Sequence, residues 1–202
     1  MRISTTHLES FRLYRDQDWM TFDKLVSDLT TYTDPIEPMM VGLDFHSALE
    51  GLPPRYGYRM TNMVAATSLV PPGATPELRT IISIAGHDVV AKADAILGKT
   101  VYETKTKLGT IEAARYSESY QWRIYAEAFD CDAVVYILAS LKKVGEHDCY
   151  VQRVDPMTEY RYPGMRADIE RLVVAFEGLV MDTPALRTKF VDNPRTIPPE
   201  VR

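Results

Sequence analysis

The chain has 202 residues and a formal net charge of −5, a length that fits one domain or one domain with small additions. Apolar residues make up 46% of it, enough to bury a core, which excludes a disordered tail, and no apolar run approaches the roughly 18 residues of a membrane span. The two cysteines, Cys131 and Cys149, are too few for a disulfide framework or a four-thiolate metal site.

The N-terminus, Met1-Arg2-Ile3-Ser4-Thr5-Thr6, lacks the apolar stretch of a secretion signal, so a reducing cytoplasm is the expected compartment. The acidic balance argues against a generic polyanion binder. Positive charge is local: Arg2, Arg12 and Arg15 come early, and Lys105, Lys107, Arg115 and Arg123 gather in the middle. Each of these, taken singly, reads as solvated surface.

Residues 4–31 read as one or two helices, with Leu8, Phe11 and Leu13 on one apolar side and Trp19, Phe22, Leu25, Val26 and Leu29 on another. Residues 34–38 break the pattern. Residues 40–51 read as a short helix ended by Gly51 and Pro53-Pro54, and 69–76 as a loop. Strands are predicted at 79–86, 88–97 and 100–107, then a helix at 110–129. Residues 132–140 form a nearly continuous apolar run, as in a strand buried on both faces. A further strand covers 148–154. A last helix covers 161–181, with Met165, Ile169, Leu172, Val173, Phe176 and Val180 on one stripe. The expected organisation is a single domain over 1–190 and a loose proline-rich tail over 191–202. The expected fold class is α/β, a central mixed sheet flanked by helices.

Chemistry concentrates in the stretch from His87 to Lys107. Gly98-Lys99 lies between two strand-like runs, and a two-residue turn with glycine first suits type II′. Paired residue numbers then sum to 197, which sets Asp94 opposite Glu103 with Cβ atoms about 4.5–5.5 Å apart. Two facing carboxylates repel, and a divalent cation is the natural compensation, since Mg²⁺ and Mn²⁺ favour one or two carboxylates plus water and phosphate. Lys105, two residues beyond Glu103, emerges on the same face and can balance phosphate charge or orient a water. The alternative is an exposed hairpin whose acids and lysines pair.

Asp94, eight intervening residues, then Glu103-Thr104-Lys105 resembles the core motif of the PD-(D/E)XK nucleases, with Ala93 in place of the proline. Ile3-Ser-Thr-Thr-His-Leu-Glu-Ser-Phe11 resembles the opening helix start of the RecB-like branch. Gly42-Leu-Asp-Phe-His46-Ser-Ala-Leu-Glu50-Gly51 resembles its helix with a metal-binding histidine, and Gln121-Trp-Arg-Ile-Tyr125 its glutamine-x-x-x-tyrosine motif. On the 110–129 helix, Ala114, Gln121, Ile124, Tyr125 and Ala128 share a side, so Gln121 is a polar group on an inward face and needs partners; a core-anchoring hydrogen bond is the competing role. His46 is equally ambiguous from the residues alone, with Glu50 one turn later. His7, His87 and His147 gain no role.

The resemblance implies a restriction-endonuclease-like core and a divalent-metal-dependent deoxyribonuclease, an exonuclease that hydrolyses phosphodiester bonds and is similar in scale to phage recombination exonucleases. It implies Asp94, Glu103, Lys105, Gln121 and Tyr125 as catalytic residues. It implies Mg²⁺ or Mn²⁺ between Asp94, Glu103 and the Thr104 backbone carbonyl, with His46 as a third side-chain ligand. Cys131 and Cys149 cannot supply the iron–sulfur cluster of some relatives. DNA is the implied partner, in recombination or repair, with a single-strand annealing or recombination protein and self-association compatible with that role, inside a bacterial or phage-infected cell. A structure- or site-specific endonuclease and a catalytically inactive DNA-binding or interaction module are the competing readings.

Overall fold

A computed structural model describes residues 1–193. Its frame is a seven-stranded mixed sheet, in the order β1 (Arg2–Ser4), β4 (His87–Leu97), β5 (Thr100–Leu108), β6 (Ala133–Lys143), β7 (Asp148–Tyr160) and β2 (Arg59–Thr61), with β3 (Thr75–Ile84) also paired to β4. Strand β1 runs parallel to Asp88–Val90, and β3 runs antiparallel along nearly the whole of β4. Strands β1 and β5 must therefore share the other edge of β4.

Alternate residues of β6 feed two cores, because successive side chains on a strand point to opposite faces. Val134, Tyr136 and Leu138 join the larger core with α1 (Thr5–Asp16), α2 (Phe22–Thr30), α6 (Tyr120–Ala128) and α7 (Met165–Asp182). Ala139 and Leu141 join a smaller core with Val41 and Phe45 of α3 (Glu37–Leu49) and Ala66 of α4 (Val64–Leu69). The predicted stripe on α7, from Met165 to Val180, is buried in full. Phe176 sits at its centre, 5.5 Å from the Phe11 ring and 5.4 Å from Phe190. Truncating such a residue to alanine costs about 3–5 kcal/mol.

The helix predicted over 110–129 is two helices, α5 (Ala114–Ser117) and α6, separated by Glu118 and Ser119. Ser119 is the cause: its backbone is extended and its hydroxyl accepts the Gln121 amide, the geometry of an N-cap. Ala114 therefore lies outside the α6 face and is exposed. Strand β7 runs six residues past its predicted end, and β1, β2 and α4 were not foreseen. After α7 come α8 (Pro184–Arg187) and a π-helical turn, Thr188–Asp192, that buries Phe190. Of the tail predicted from 191, residues 194–202 lie outside the described residues. Among the described residues no helix is long and apolar enough to cross a membrane.

Candidate active site

The β4–β5 hairpin turns at Gly98-Lys99. Gly98 has φ +58° and Lys99 is not in the left-handed region, as a type II′ turn requires. The ladder pairs Leu97 with Thr100, Ile96 with Val101 and Ala95 with Tyr102, and then stops. Asp94 and Glu103 are the next pair in the predicted register, yet they are not laddered: the two strands separate there, and β1 takes over the edge of β4. The expectation of a continuous ladder through Asp94 is corrected to a fork that opens at that pair.

The two carboxylates fill the fork. The Thr104 amide donates to Asp94 Oδ2 at 2.7 Å, and the Asp94 amide reaches Glu103 Oε2 at 3.4 Å. The Thr104 amide, which a closed antiparallel ladder would have given to a β4 carbonyl, thus goes to a side-chain acid. Lys105 donates to Glu103 Oε1 at 2.9 Å. Gln121, in the first turn of α6, donates through Nε2 to the same oxygen at 3.3 Å and to the Tyr125 hydroxyl at 2.7 Å. Glutamine and tyrosine four residues apart stack on one helix face, so one amide group bridges the helix and the strand.

His46 arrives from the other side. Helix α3 approaches β5 so closely at Gly42 that a Cβ there would lie 2.9 Å from Thr106 Oγ1. One turn further on, His46 Nδ1 stands 3.6 Å from Asp94 Oδ2, beyond hydrogen-bond distance. Glu50 is exposed at the end of α3 and acts on His46 through its charge. The structure therefore brings His46, Asp94, Glu103, Thr104, Lys105, Gln121 and Tyr125 to one place.

Burial sets the electrostatics. Glu103 is 4% exposed, and desolvation raises its pKa to about 7 against the opposing pull of Lys105, with Asp94 adding to the rise. Desolvation also raises Asp94, opposed by its hydrogen bond from the Thr104 amide. Burial works against the Lys105 ammonium, but Glu103 beside it prevails and the net shift is upward. Desolvation lowers His46, so its imidazole is neutral near pH 7. Tyr125 is raised well above the phenol range, chiefly by desolvation and then by the charge on Glu103, and stays protonated.

Three surrounding residues escaped the reading of the sequence. Arg12, grouped with surface cations, is 2% exposed and forks onto Glu9 Oε1 at 3.0 and 2.7 Å. Glu9 Oε2 in turn accepts from the Ser119 hydroxyl at 2.9 Å and the Tyr120 amide at 3.1 Å. The Glu9–Arg12–Asp16 spacing on α1 was the available signal. His7, given no role, closes a capping box with Ser4: the His7 amide donates to Ser4 Oγ at 3.2 Å and the Ser4 amide to His7 Nδ1 at 3.3 Å.

Among the described residues, no three His, Cys, Asp or Glu side chains already form a metal cage. The donor set suits a different kind of cation. Two hard carboxylates face each other across the fork, and the charge that now satisfies Glu103 is an ammonium. That pattern fits Mg²⁺ or Mn²⁺, which use one or two carboxylates and retain water.

This architecture is one that exonucleases share. A phage-related exonuclease from Haemophilus somnus 129PT matches with TM-score 0.54 at 10% identity, over 90% of this chain and 96% of that one. An alkaline exonuclease, LHK-Exo from Laribacter hongkongensis, matches with TM-score 0.53 at 15% identity, over 90% of this chain and 88% of that one. At these identities the likeness is one of fold. No protein-family model matches the sequence, and neither does any curated protein.

Proposed function

We propose that this chain is a divalent-metal-dependent deoxyribonuclease of the PD-(D/E)XK kind, in its RecB-like branch, acting as an exonuclease in recombination or repair. The observation that carries the proposal is the convergence of Asp94, Glu103 and Lys105 in the β4–β5 fork, with Gln121 of α6 on the same glutamate oxygen. That exonucleases share the fold supports the choice of mode. The nuclease domain is taken as 1–190.

Asp94, Glu103, the Thr104 carbonyl and the neutral His46 imidazole are the groups that would hold Mg²⁺ or Mn²⁺, since a ligating histidine must be deprotonated. The ion supplies Lewis-acid chemistry at the phosphoryl group. Lys105, which donates to Glu103 Oε1, would orient the attacking water and neutralise charge that grows in the transition state. Gln121 fixes the Glu103 carboxylate, and Tyr125 fixes Gln121.

The test is incubation of the purified chain with linear and closed circular DNA in Mg²⁺ or Mn²⁺, with the products sized. Degradation of linear DNA with circles spared is expected. Rapid nicking of circles would move the reading to an endonuclease, and no cleavage of DNA or RNA with either ion would leave a DNA-binding module.

A further inference from the structure

We infer that Glu9, clamped by the buried Arg12, is a positioning residue that sets where Gln121 meets Glu103. The inference rests on the nuclease reading and adds a part of the machinery that lies on α1, away from the reacting groups. The links are continuous. Arg12 Nε and Nη2 both donate to Glu9 Oε1. Glu9 Oε2 accepts the Ser119 hydroxyl and the Tyr120 amide, at the first residue of α6. Ser119 Oγ accepts the Gln121 amide at 3.0 Å. The Gln121 side chain then donates to Glu103 Oε1, which also holds Lys105.

The physical logic lies in what each group can do. The first amides of a helix lack intrahelical acceptors, and the helix end carries partial positive charge. Ser119 satisfies one of them from within the chain. Glu9 satisfies another from a separate helix, with a full negative charge. A carboxylate is a strong acceptor but leaves α6 free to slide unless it is itself held. Arg12 removes that freedom: its planar fork fixes Glu9, and the buried guanidinium has three acidic neighbours among the described residues, Glu9 at 2.7 Å, Asp16 at 3.8 Å and Glu118 at 4.0 Å. A helix of nine residues pinned at its first turn carries the pinned geometry directly into Gln121, one residue later. Small misplacements matter here, because a shift of about 1 Å in a catalytic group can cost on the order of 100-fold in rate.

A residue that acts only by stabilising the fold and one that acts through Gln121 differ in a double-mutant cycle. The experiment compares wild type, Glu9→Ala, Gln121→Ala and the double variant for kcat and KM on linear DNA in Mg²⁺. Melting curves serve as the folding control, and hydrogen exchange is followed at the Tyr120 and Gln121 amides. Glu9→Ala is expected to lower kcat about 10- to 100-fold with KM little changed. It is expected to speed exchange at both amides but not at Ala126, and to have little further effect once Gln121 is alanine. Ser119→Ala, a smaller change that breaks the same chain, gives the same pattern if Glu9→Ala does not fold, and Ser119→Thr restores it. Additive losses in the cycle, or an unchanged kcat, overturn the inference while leaving the nuclease reading in place. A wild type that cleaves nothing overturns both.

Discussion

Lys105, partly buried, donates to the buried Glu103 at 2.9 Å, and each charge favours the other against the desolvation that opposes both. Removing the ammonium leaves Glu103 Oε1 with the Gln121 amide among the described partners and, in the proposed reaction, takes one positive charge from beside the phosphate. Lys105→Ala is therefore expected to lower kcat by about 10²–10³-fold, the scale for losing one charge-stabilising group, in a chain that melting curves show still folded; a loss below tenfold would remove Lys105 from the machinery. His7 makes a prediction about stability. Burial, followed by Lys189, lowers its pKa to about 4 from 6.5, and the unprotonated Nδ1 is the acceptor in the α1 capping box. Below pH 6.5 the unfolded chain takes up a proton that the native state refuses. The stability is thus whole above pH 6.5 and drains away as pH falls from 6.5 towards 4. His7→Gln keeps a capping-box residue at that position and does not titrate. Urea unfolding at pH 7 and pH 5 should show the wild type losing more stability than the variant, by up to about 1.4 kcal/mol per pH unit.

Helix α3 and strand β5 touch backbone to side chain at Gly42, and that contact sets the reach of His46. Gly42→Ala brings a Cβ to 2.9 Å from Thr106 Oγ1, an overpacking worth about 1–3 kcal/mol that exceeds the roughly 1 kcal/mol gained from helix propensity. The single variant should be less stable than wild type. In a Thr106→Ala background the same change should become neutral or stabilising, as read from denaturant midpoints. At this scale the sequence is uneven. The Gly98-Lys99 turn and the α7 stripe are legible because each depends on residues close in the chain: a turn glycine, or apolar side chains every third or fourth place. Strands β1 and β2 are three residues long and exist only because β4 and β7 offer an edge. The division of α5 from α6 hangs on Ser119, whose partner Glu9 lies 110 positions away, and no local pattern announces it.

The whole molecule is acidic, and its proposed substrate is a polyanion, so the two carboxylates of the fork would also repel that substrate until a cation offsets them. Asp94→Asn is expected to bind DNA more tightly than wild type in EDTA, by about fivefold, the value of roughly 1 kcal/mol for one charge at contact in water. Mg²⁺ should reverse the order in a gel-shift or anisotropy titration; equal affinities in EDTA would show that the fork does not face the DNA. The α/β class was legible from the alternation of helical and strand patterns, and the meeting of Asp94, Glu103 and Lys105 from their spacing. The fork was not, because it arises where β1 displaces β5 along β4, a competition between segments more than 80 residues apart. That fork binds upkeep of the fold to upkeep of the chemistry. The Asp94 and Thr104 amides have side-chain acids where neighbours in a sheet would have carbonyls. Asp94→Ala leaves the buried Thr104 amide dry, at a cost of about 1–3 kcal/mol, while Asp94→Asn keeps an oxygen for it. Loss of the side-chain oxygen at position 94 is therefore penalised in the fold as well as in the proposed chemistry. A lineage that gave up the proposed cleavage could exchange Asp94 for asparagine at little cost, but could truncate it only after closing the gap between its strands.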